Sequence, residues 1–383
     1  MPLSVTPVAS EADLDLFLRL PVNLYRGLSG YVPPLMLDRR SLLDPKKSSF
    51  FKHGTAQYWI ARRDGEPVGR ISAQIDGIQP EGAFNGATAL FGCVDAIDDP
   101  EVTGALFHTA ETWLREKGHD KIAGPFALNM NAEPGLLVEG QEEPPLALVA
   151  WHPSYLLRHF VTSGFTPSRD LHYWRLPQSV ARVPDLRAIN RLKSQMPDIA
   201  VRRMSRRHAR REVEIIRTIY NDAWKDNWGF VPLHPADVEV IIEDAKPFLR
   251  EEYGIVVEKA GRPIAVALCF PNLFEVTRDL GTDPSPWGWA KLAYRSFFHR
   301  FESGFIIVFG VISEFRHTVG GAMIAMAMID EMLRRGGQGR LVGDWLEAGW
   351  VLDNNVALQK ILVQYGFHKA RTLRLFEKHL SLA

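Results

Sequence analysis

Cysteine is almost absent from this chain: there are two in 383 residues, Cys93 and Cys269. They sit in apolar, strand-like runs in different halves, which argues against a disulfide scaffold and fits free buried thiols in a reducing compartment. No Cys-x-x-Cys pair or histidine cluster has metal-site spacing, so no metal is expected. Neither sign of charge is in excess, with Lys+Arg and Asp+Glu at 45 each. That balance argues against a surface-wide phosphate footprint, and no nucleic-acid partner is expected. No run reaches the roughly 18 uninterrupted apolar residues of a spanning helix. The opening MPLSVTPVASEADLDLFLRL lacks the basic start and apolar core of a signal peptide, so a cytoplasmic protein is expected. Low-complexity tracts are missing too. What remains is a globular composition, 46% hydrophobic and 23% charged, in a chain long enough for two cores.

The chain carries one pattern twice. Four landmarks of the first half recur in the same order in the second. LYRGLSGYVPPL (Leu24 to Leu35) returns as IYNDAWKDNWGFVPL (Ile219 to Leu233). YWIARRDGEPVGRISAQI (Tyr58 to Ile75) returns as GIVVEKAGRPIAVALCF (Gly254 to Phe270). Phe91-Gly92 returns as Phe309-Gly310, and LLRHFVTSGF (Leu156 to Phe165) as LQKILVQYGF (Leu358 to Phe367). The spacing of about 200 residues is far beyond a solenoid unit and indicates a duplicated domain.

Each half has the same order of elements. An opening helix (Glu11 to Arg19; Ala209 to Tyr220) precedes an aromatic-proline segment. Two strands follow around a glycine turn at Asp64-Gly65 or Ala260-Gly261, a hairpin signal. Then come a strand ending near Val94 or Ile312, a long helix, a strand (Lys121 to Ala123; Arg340 to Leu346), a second helix and a final strand (Leu171 to Leu176; Thr372 to Lys378). Gly164 and Gly366 occupy helix C-cap positions. This is a mixed α/β order suited to a sheet with helices on its faces. The expected division is a first domain at 1–178, a linker at 179–198 and a second domain at 199–383.

The sharpest chemical signal is FGVISEFRHTVGGAMIAM (Phe309 to Met326). A strand ends in a glycine-containing loop that opens a helix. Unpaired N–H groups at a helix start favour an anion such as a pyrophosphate, and Gly320 and Gly321 permit close approach. A plain strand-to-helix turn would use the same residues. This arrangement resembles the GNAT family of acyl-CoA-dependent N-acyltransferases, whose loop reads Arg/Gln-x-x-Gly-x-Gly/Ala. Starting at Arg316, the fit places Val319 at the first glycine. Starting at His317, it keeps Gly320 and Ala322 but puts histidine at the Arg/Gln position. Asn355, an apolar helix and then Gly366-Phe367 match the family's later motif.

The resemblance covers both halves. It implies two tandem GNAT-like domains, each a mixed, mostly antiparallel sheet flanked by helices, with acyl-CoA as cosubstrate and an amine as acceptor. It further implies that Arg316, His317, Thr318, Val319, Gly320, Gly321, Ala322 and Asn355 meet the CoA. Backbone amides near Val311 and Ile312 would polarise the thioester. Direct attack by an amine profits from a base. GDWLEAGWVLDNN offers Asp344, Glu347 and Asp353, of which Glu347 is the candidate; a solvated strand-end carboxylate would look the same. The position where the family often has its tyrosine acid is Leu362 here. Tyr365, nearly one turn on, is the substitute. The first-half loop (Phe91 to Phe107) offers Asp95, Asp98, Asp99 and Glu101, which would repel a pyrophosphate. That half is expected to bind no CoA and to brace its partner or shape the acceptor pocket.

Two further segments bear on the acceptor. Asn129 and Asn131, beside Glu133, and Trp228 of the second half are candidate acceptor contacts, although turn chemistry and core packing use such residues equally. PSPWGWAKLAYRSFFHRFESG (residues 284–304) interleaves aromatic and basic side chains, as a peripheral contact with the inner membrane would need. A helix packed on a sheet edge is the alternative. The organisation and the WVLDNN-to-YGF stretch are similar to the bacterial ceramide synthases, which implies acyl transfer from acyl-CoA to a sphingoid base. An acetyltransferase acting on a small amine or peptide, and a non-catalytic acyl-CoA-binding protein, are the competing readings.

Overall fold

The computed structural model describes residues 2–177, 187–235, 251, 254–336 and 345–380. The first half contributes strands β1 (Leu3–Pro7), β2 (Gly54–Arg63), β3 (Glu66–Asp76), β4 (Ala89–Ala96), β5 (Lys121–Gly124), β6 (Leu136–Glu139) and β7 (Thr166–Pro177). Its helices are α1 (Glu11–Leu24), α2 (Met36–Leu43), α3 (Pro100–Glu116) and α4 (Tyr155–Thr162). The rest of the chain contributes α5 (Arg187–Gln195), β8 (Ile199–Arg203), α6 (Ala209–Trp224), β9 (Gly254–Lys259), β10 (Arg262–Pro271), α7 (Phe274–Thr277), α8 (Pro286–Phe298), β11 (Ser303–Val311), α9 (Val319–Gly336), β12 (Trp345–Leu352), α10 (Val356–Gln364) and β13 (His368–His379).

Local chemistry sets these elements. Both hairpins turn on a pair of positive-φ residues, Asp64 (52°) with Gly65 (87°) and Ala260 (48°) with Gly261 (79°). This is the turn whose twist matches the flanking strands. Helix α1 opens with a capping box between Ser10 and Asp13. Gly164 (φ 82°) and Gly366 (φ 95°) end α4 and α10 in the left-handed conformation. Alternation along β2 divides the core: Trp59 and Ala61 pack with α3 and α4, whereas Tyr58 and Ile60 pack with α1 and α2.

The two halves share one sheet of 13 strands, in the order β1-β2-β3-β4-β5-β13-β7-β12-β11-β10-β9-β8, with β6 also on β13. Each half is a mixed, mostly antiparallel sheet, as the family resemblance implies. The final strands are exchanged. β7, the end of the first half, pairs with β12, and β13, the end of the second, pairs with β5. The halves are therefore joined through hydrogen-bonded ladders as well as apolar contact. Helix α5, within the expected linker, buries Leu192 in the second-half core. Residues 179–186 of that linker lie outside the described residues.

Candidate active site

Strands β11 and β12 run parallel and, among the described residues, pair from Ser303–Trp345 to Ile306–Ala348. Beyond that point they part. The opening is lined by Ile307, Phe309, Ala348, Gly349, Trp350 and Asn355, with Trp224 and Asn227 at the end of α6. The ladder to β10 determines which amides face it. The Ile312 amide donates to the Ile264 carbonyl (2.9 Å), so it belongs to the sheet. By antiparallel alternation, the amides of Val311 and Phe309 point the other way, into the opening. Of the expected donors Val311 and Ile312, Ile312 is thus taken up by the sheet, and the amides facing the opening are those of Val311 and Phe309.

Beyond β11 the loop is clamped to the last turns of α6. Asp222 accepts from the Ser313 amide and hydroxyl, and Arg316 reaches the Ala223 carbonyl and Asp226. A guanidinium on a helix C-terminus opposes the negative end of its dipole. Arg316 therefore anchors the loop rather than standing free for a phosphate. His317 takes a left-handed φ of 67°. Thr318 then caps α9, its hydroxyl accepting from the Gly321 amide (3.0 Å). Val319 stands 77% exposed at the helix start. Gly321 packs its α-carbon against the Phe315 carbonyl, which a β-carbon would approach to 2.1 Å. Ala322 closes the first turn by donating to the Thr318 carbonyl. Asn355 caps α10 and lines the opening.

The two expected proton-transfer residues are placed elsewhere. Glu347 has no exposed surface. Its Oε1 accepts from Arg175 Nε (2.9 Å) and Arg371 Nη2 (3.0 Å). It lies within the paired part of β12, opposite Phe305 and Arg175, and not at its open end. It is held between two guanidiniums at the junction of β12, β7 and β13. Tyr365 caps α10 and donates to Asp330 (2.7 Å) on α9, so it fastens helix to helix. Asp353 follows β12, with its amide on the Asp170 carbonyl. Asp344 lies outside the described residues.

The equivalent opening in the first half is closed. β4 and β5 pair at only two positions, but the chain after β5 folds back between them. Phe126 donates to the Phe91 carbonyl (2.9 Å), Ala127 to Glu133, and Gly135 to Pro125. Asp99 caps α3 and binds Arg63, which fills that helix start with the protein's own carboxylate. Asp98 pairs with Arg158 and His159. The acidic loop is thus a set of caps and ion pairs. Asn129 bonds Asp76, Asn131 bonds Tyr220 and Val231, and Trp228 bonds Asn85. Asn131 and Trp228 stitch the halves together, and none of the three lines either cavity.

Beside the closed opening lies a larger cavity that sequence patterning did not reveal. Arg39 and Glu133 are paired in it (2.6 Å), as are Arg70 and Asp95 (2.7 Å). Tyr31, Cys93, His152 and Arg371 join them. Burial lowers the His152 pKa, so that imidazole is held neutral, and burial raises the Cys93 thiol. Burial opposes ionisation of Glu133, but Arg39 outweighs it and holds the carboxyl below its usual range. The one usable signal was the register: Arg70 and Asp95 lie opposite each other across β3 and β4.

Solved structures share this architecture. A tandem GNAT protein from the clavulanic acid biosynthesis pathway superposes with a TM-score of 0.57 at 11% identity, covering 100% of both chains. In sequence, the bacterial ceramide synthase of Caulobacter vibrioides is 34% identical over 382 residues, 99% of this chain and 98% of its own. This chain belongs to the tandem GNAT family of acyltransferases. A second relative, protein YghO of Escherichia coli K12, is 33% identical over 372 residues, 97% of this chain and 94% of its own. A probable N-acyltransferase from Enterococcus faecalis gives a TM-score of 0.52 at 9% identity, covering 99% of this chain and 73% of its own. No protein-family model matches the chain. The GNAT fold implies acyl-CoA as the cosubstrate.

Proposed function

We propose that this acyltransferase moves a long acyl chain from acyl-CoA to the primary amine of a sphingoid base, by direct transfer between β11 and β12. The observation that carries the reading is the parting of these parallel strands beside the Thr318-capped start of α9. The CoA pyrophosphate would lie on the leading amides of α9 at Val319 and Gly320, where unpaired N–H groups favour an anion. The thioester carbonyl would accept from the amides of Phe309 and Val311; fixed donors at a developing oxyanion are a large catalytic term. The amine, as free base, forms the C–N bond. The tetrahedral intermediate then expels the CoA thiolate as the C–S bond breaks, and the amine proton passes to solvent. In this reading 199–383 is the acyl-CoA half, 179–198 the linker and 1–178 the partner half.

Two observations support a lipid substrate. The Caulobacter relative, named a ceramide synthase, aligns over nearly the whole chain. Helix α8 turns a row of aromatic side chains to solvent: Trp287 (81% exposed), Tyr294 (65%) and Phe298 (66%). Among the described residues no helix is long and apolar enough to cross a membrane, so contact through α8 would be peripheral. The test is thiol release and amide formation from palmitoyl-CoA and sphinganine, with acetyl-CoA as competitor. N-palmitoyl product is expected. Preference for acetyl-CoA would leave an acetyltransferase on a small amine or peptide, and no release with a broad amine panel would end the reading.

A further inference from the structure

We infer that the first-half cavity is the acceptor site, taking the polar head of a long-chain amino alcohol while the chain leaves beneath α7 and α8. This assignment rests on the acyltransfer reading and adds where the second substrate sits. The cavity is not a second CoA slot, because the Phe126 loop occupies the strand opening and Asp99 occupies the helix start.

Its floor is polar and balanced in charge. Arg39 is matched by Glu133 and Arg70 by Asp95, and the remaining charged lining residues, Asp38 and Arg371, are one of each sign. Such a floor has no net attraction for a pyrophosphate. It retains unused hydrogen-bonding atoms: Tyr31 Oη, Arg39 Nε and Arg371 Nε are buried without a partner. Arg371 is only 4% exposed. Unpaired buried donors cost free energy in the empty protein, and hydroxyl oxygens of a ligand would relieve that cost.

Above the floor the walls are apolar, and part of them comes from the second half. Leu273, Phe274 and Thr277 of the α7 region, with Leu292 of α8, roof a cavity that, Arg371 of β13 apart, is otherwise built from first-half residues. The roof is tied down by Asn272, which accepts from the Ala147 amide and donates to the Pro145 carbonyl. At the rim Leu148 is 57% exposed. The same α8 that turns Leu292 inward carries Trp287, Tyr294 and Phe298 outward, so a chain leaving the cavity meets an apolar surface. One hydrophobic cluster also links this cavity to the β11–β12 opening. It includes Val149 and Trp151 of the cavity, and Ile307, Trp350 and Leu352 of the opening.

Binding of sphinganine and of palmitoyl-CoA, each measured alone on the full chain, tests the assignment. Val149→Trp fills the cavity, and Tyr31→Phe removes only an unpartnered hydroxyl. Val149→Trp is expected to weaken sphinganine at least about tenfold and leave palmitoyl-CoA within about twofold. Tyr31→Phe is expected to weaken sphinganine about threefold with an unchanged melting temperature. If Val149→Trp weakens palmitoyl-CoA instead, the cavity holds the acyl chain and the assignment is overturned. Unchanged sphinganine binding in both variants overturns it too, and Tyr31→Phe keeps the test valid should Val149→Trp fail to fold. Cavity-dependent sphinganine binding without turnover from any acyl-CoA would sustain the acceptor site while the acyltransfer reading failed.

Discussion

Gly92 and Phe126 meet backbone to backbone: a β-carbon at Gly92 would lie 1.7 Å from the Phe126 carbonyl oxygen. The matching glycine of the second half, Gly310, has only the Trp224 ring (3.3 Å) and the Ala223 β-carbon (3.4 Å) close by. One copy has closed its strand opening with its own backbone, and the other has left it to side chains. Gly92→Ala must displace a hydrogen-bonded loop, so a loss of about 2–3 kcal/mol in stability is expected. Gly310→Ala asks only a ring to shift and should cost less than about 1 kcal/mol. Urea unfolding of the two variants checks the contrast; equal losses would show that the halves are built alike here.

Glu347 separates a structural carboxylate from a catalytic one. Its pairing with Arg175 and Arg371 predicts that Glu347→Gln loses about 3 kcal/mol, because buried Arg371 loses its counter-charge and Arg175 keeps only Glu143. The folded fraction should keep kcat within about threefold. A general base would give the opposite pattern, a fall of about a hundredfold or more in kcat with an unchanged melting temperature. Thermal melts and initial rates on the same preparation decide between them.

Much of this frame was readable from local pattern. The turns at Asp64-Gly65 and Ala260-Gly261, the caps at Gly164 and Gly366 and the duplication itself all depend on neighbouring residues. The exchange of β7 and β13 was not readable. The apolar alternation of Leu171 to Leu176 says that the segment is a strand, but nothing in it says which strand it joins. The same limit misplaced Glu347. The described strand runs on to Leu352 rather than stopping at Leu346, and the carboxylate's partners Arg175 and Arg371 lie on strands remote in sequence. Charges that converge through sheet register, like those around Arg39 and Arg70, leave little local trace.

Cys269 supplies a prediction in pH. Burial pushes its thiol up from 9.0 to about 12. A raised folded-state pKa means its stabilising contribution is fully present below pH 9 and is lost as the pH climbs from there towards 12. Stability should therefore fall across that alkaline window, and Cys269→Ala should flatten the fall while paying a separate cavity penalty at all pH values. Labelling by a thiol reagent at pH 8 should be at least about tenfold slower for Cys269 in the folded chain than in urea, because the thiolate is the reacting form. Fast labelling of the folded protein would contradict the burial.

Helix α8 makes the last prediction. Lys291 and Arg295 share one carboxylate, Asp279 (2.8 and 2.5 Å), so only part of the positive charge of this segment is matched. His299 pairs likewise with Glu275. The face turned to solvent is nonetheless aromatic, with Trp287, Tyr294, Phe297 and Phe298 on one side of the helix and Leu292 alone buried. Binding to vesicles should then rest on inserted aromatic area rather than on anionic lipid. Sedimentation with neutral phosphatidylcholine vesicles should persist at high salt, which screens exposed charges within a few ångströms. Trp287→Ser with Phe298→Ser should weaken it at least about tenfold, since each buried aromatic is worth about 1.5–3 kcal/mol. Both side chains are exposed in the folded protein, so the melting temperature should not move. Binding that needs anionic lipid and vanishes in salt would assign the contact to charge, and no binding by the unmodified chain would leave the aromatic face to another protein.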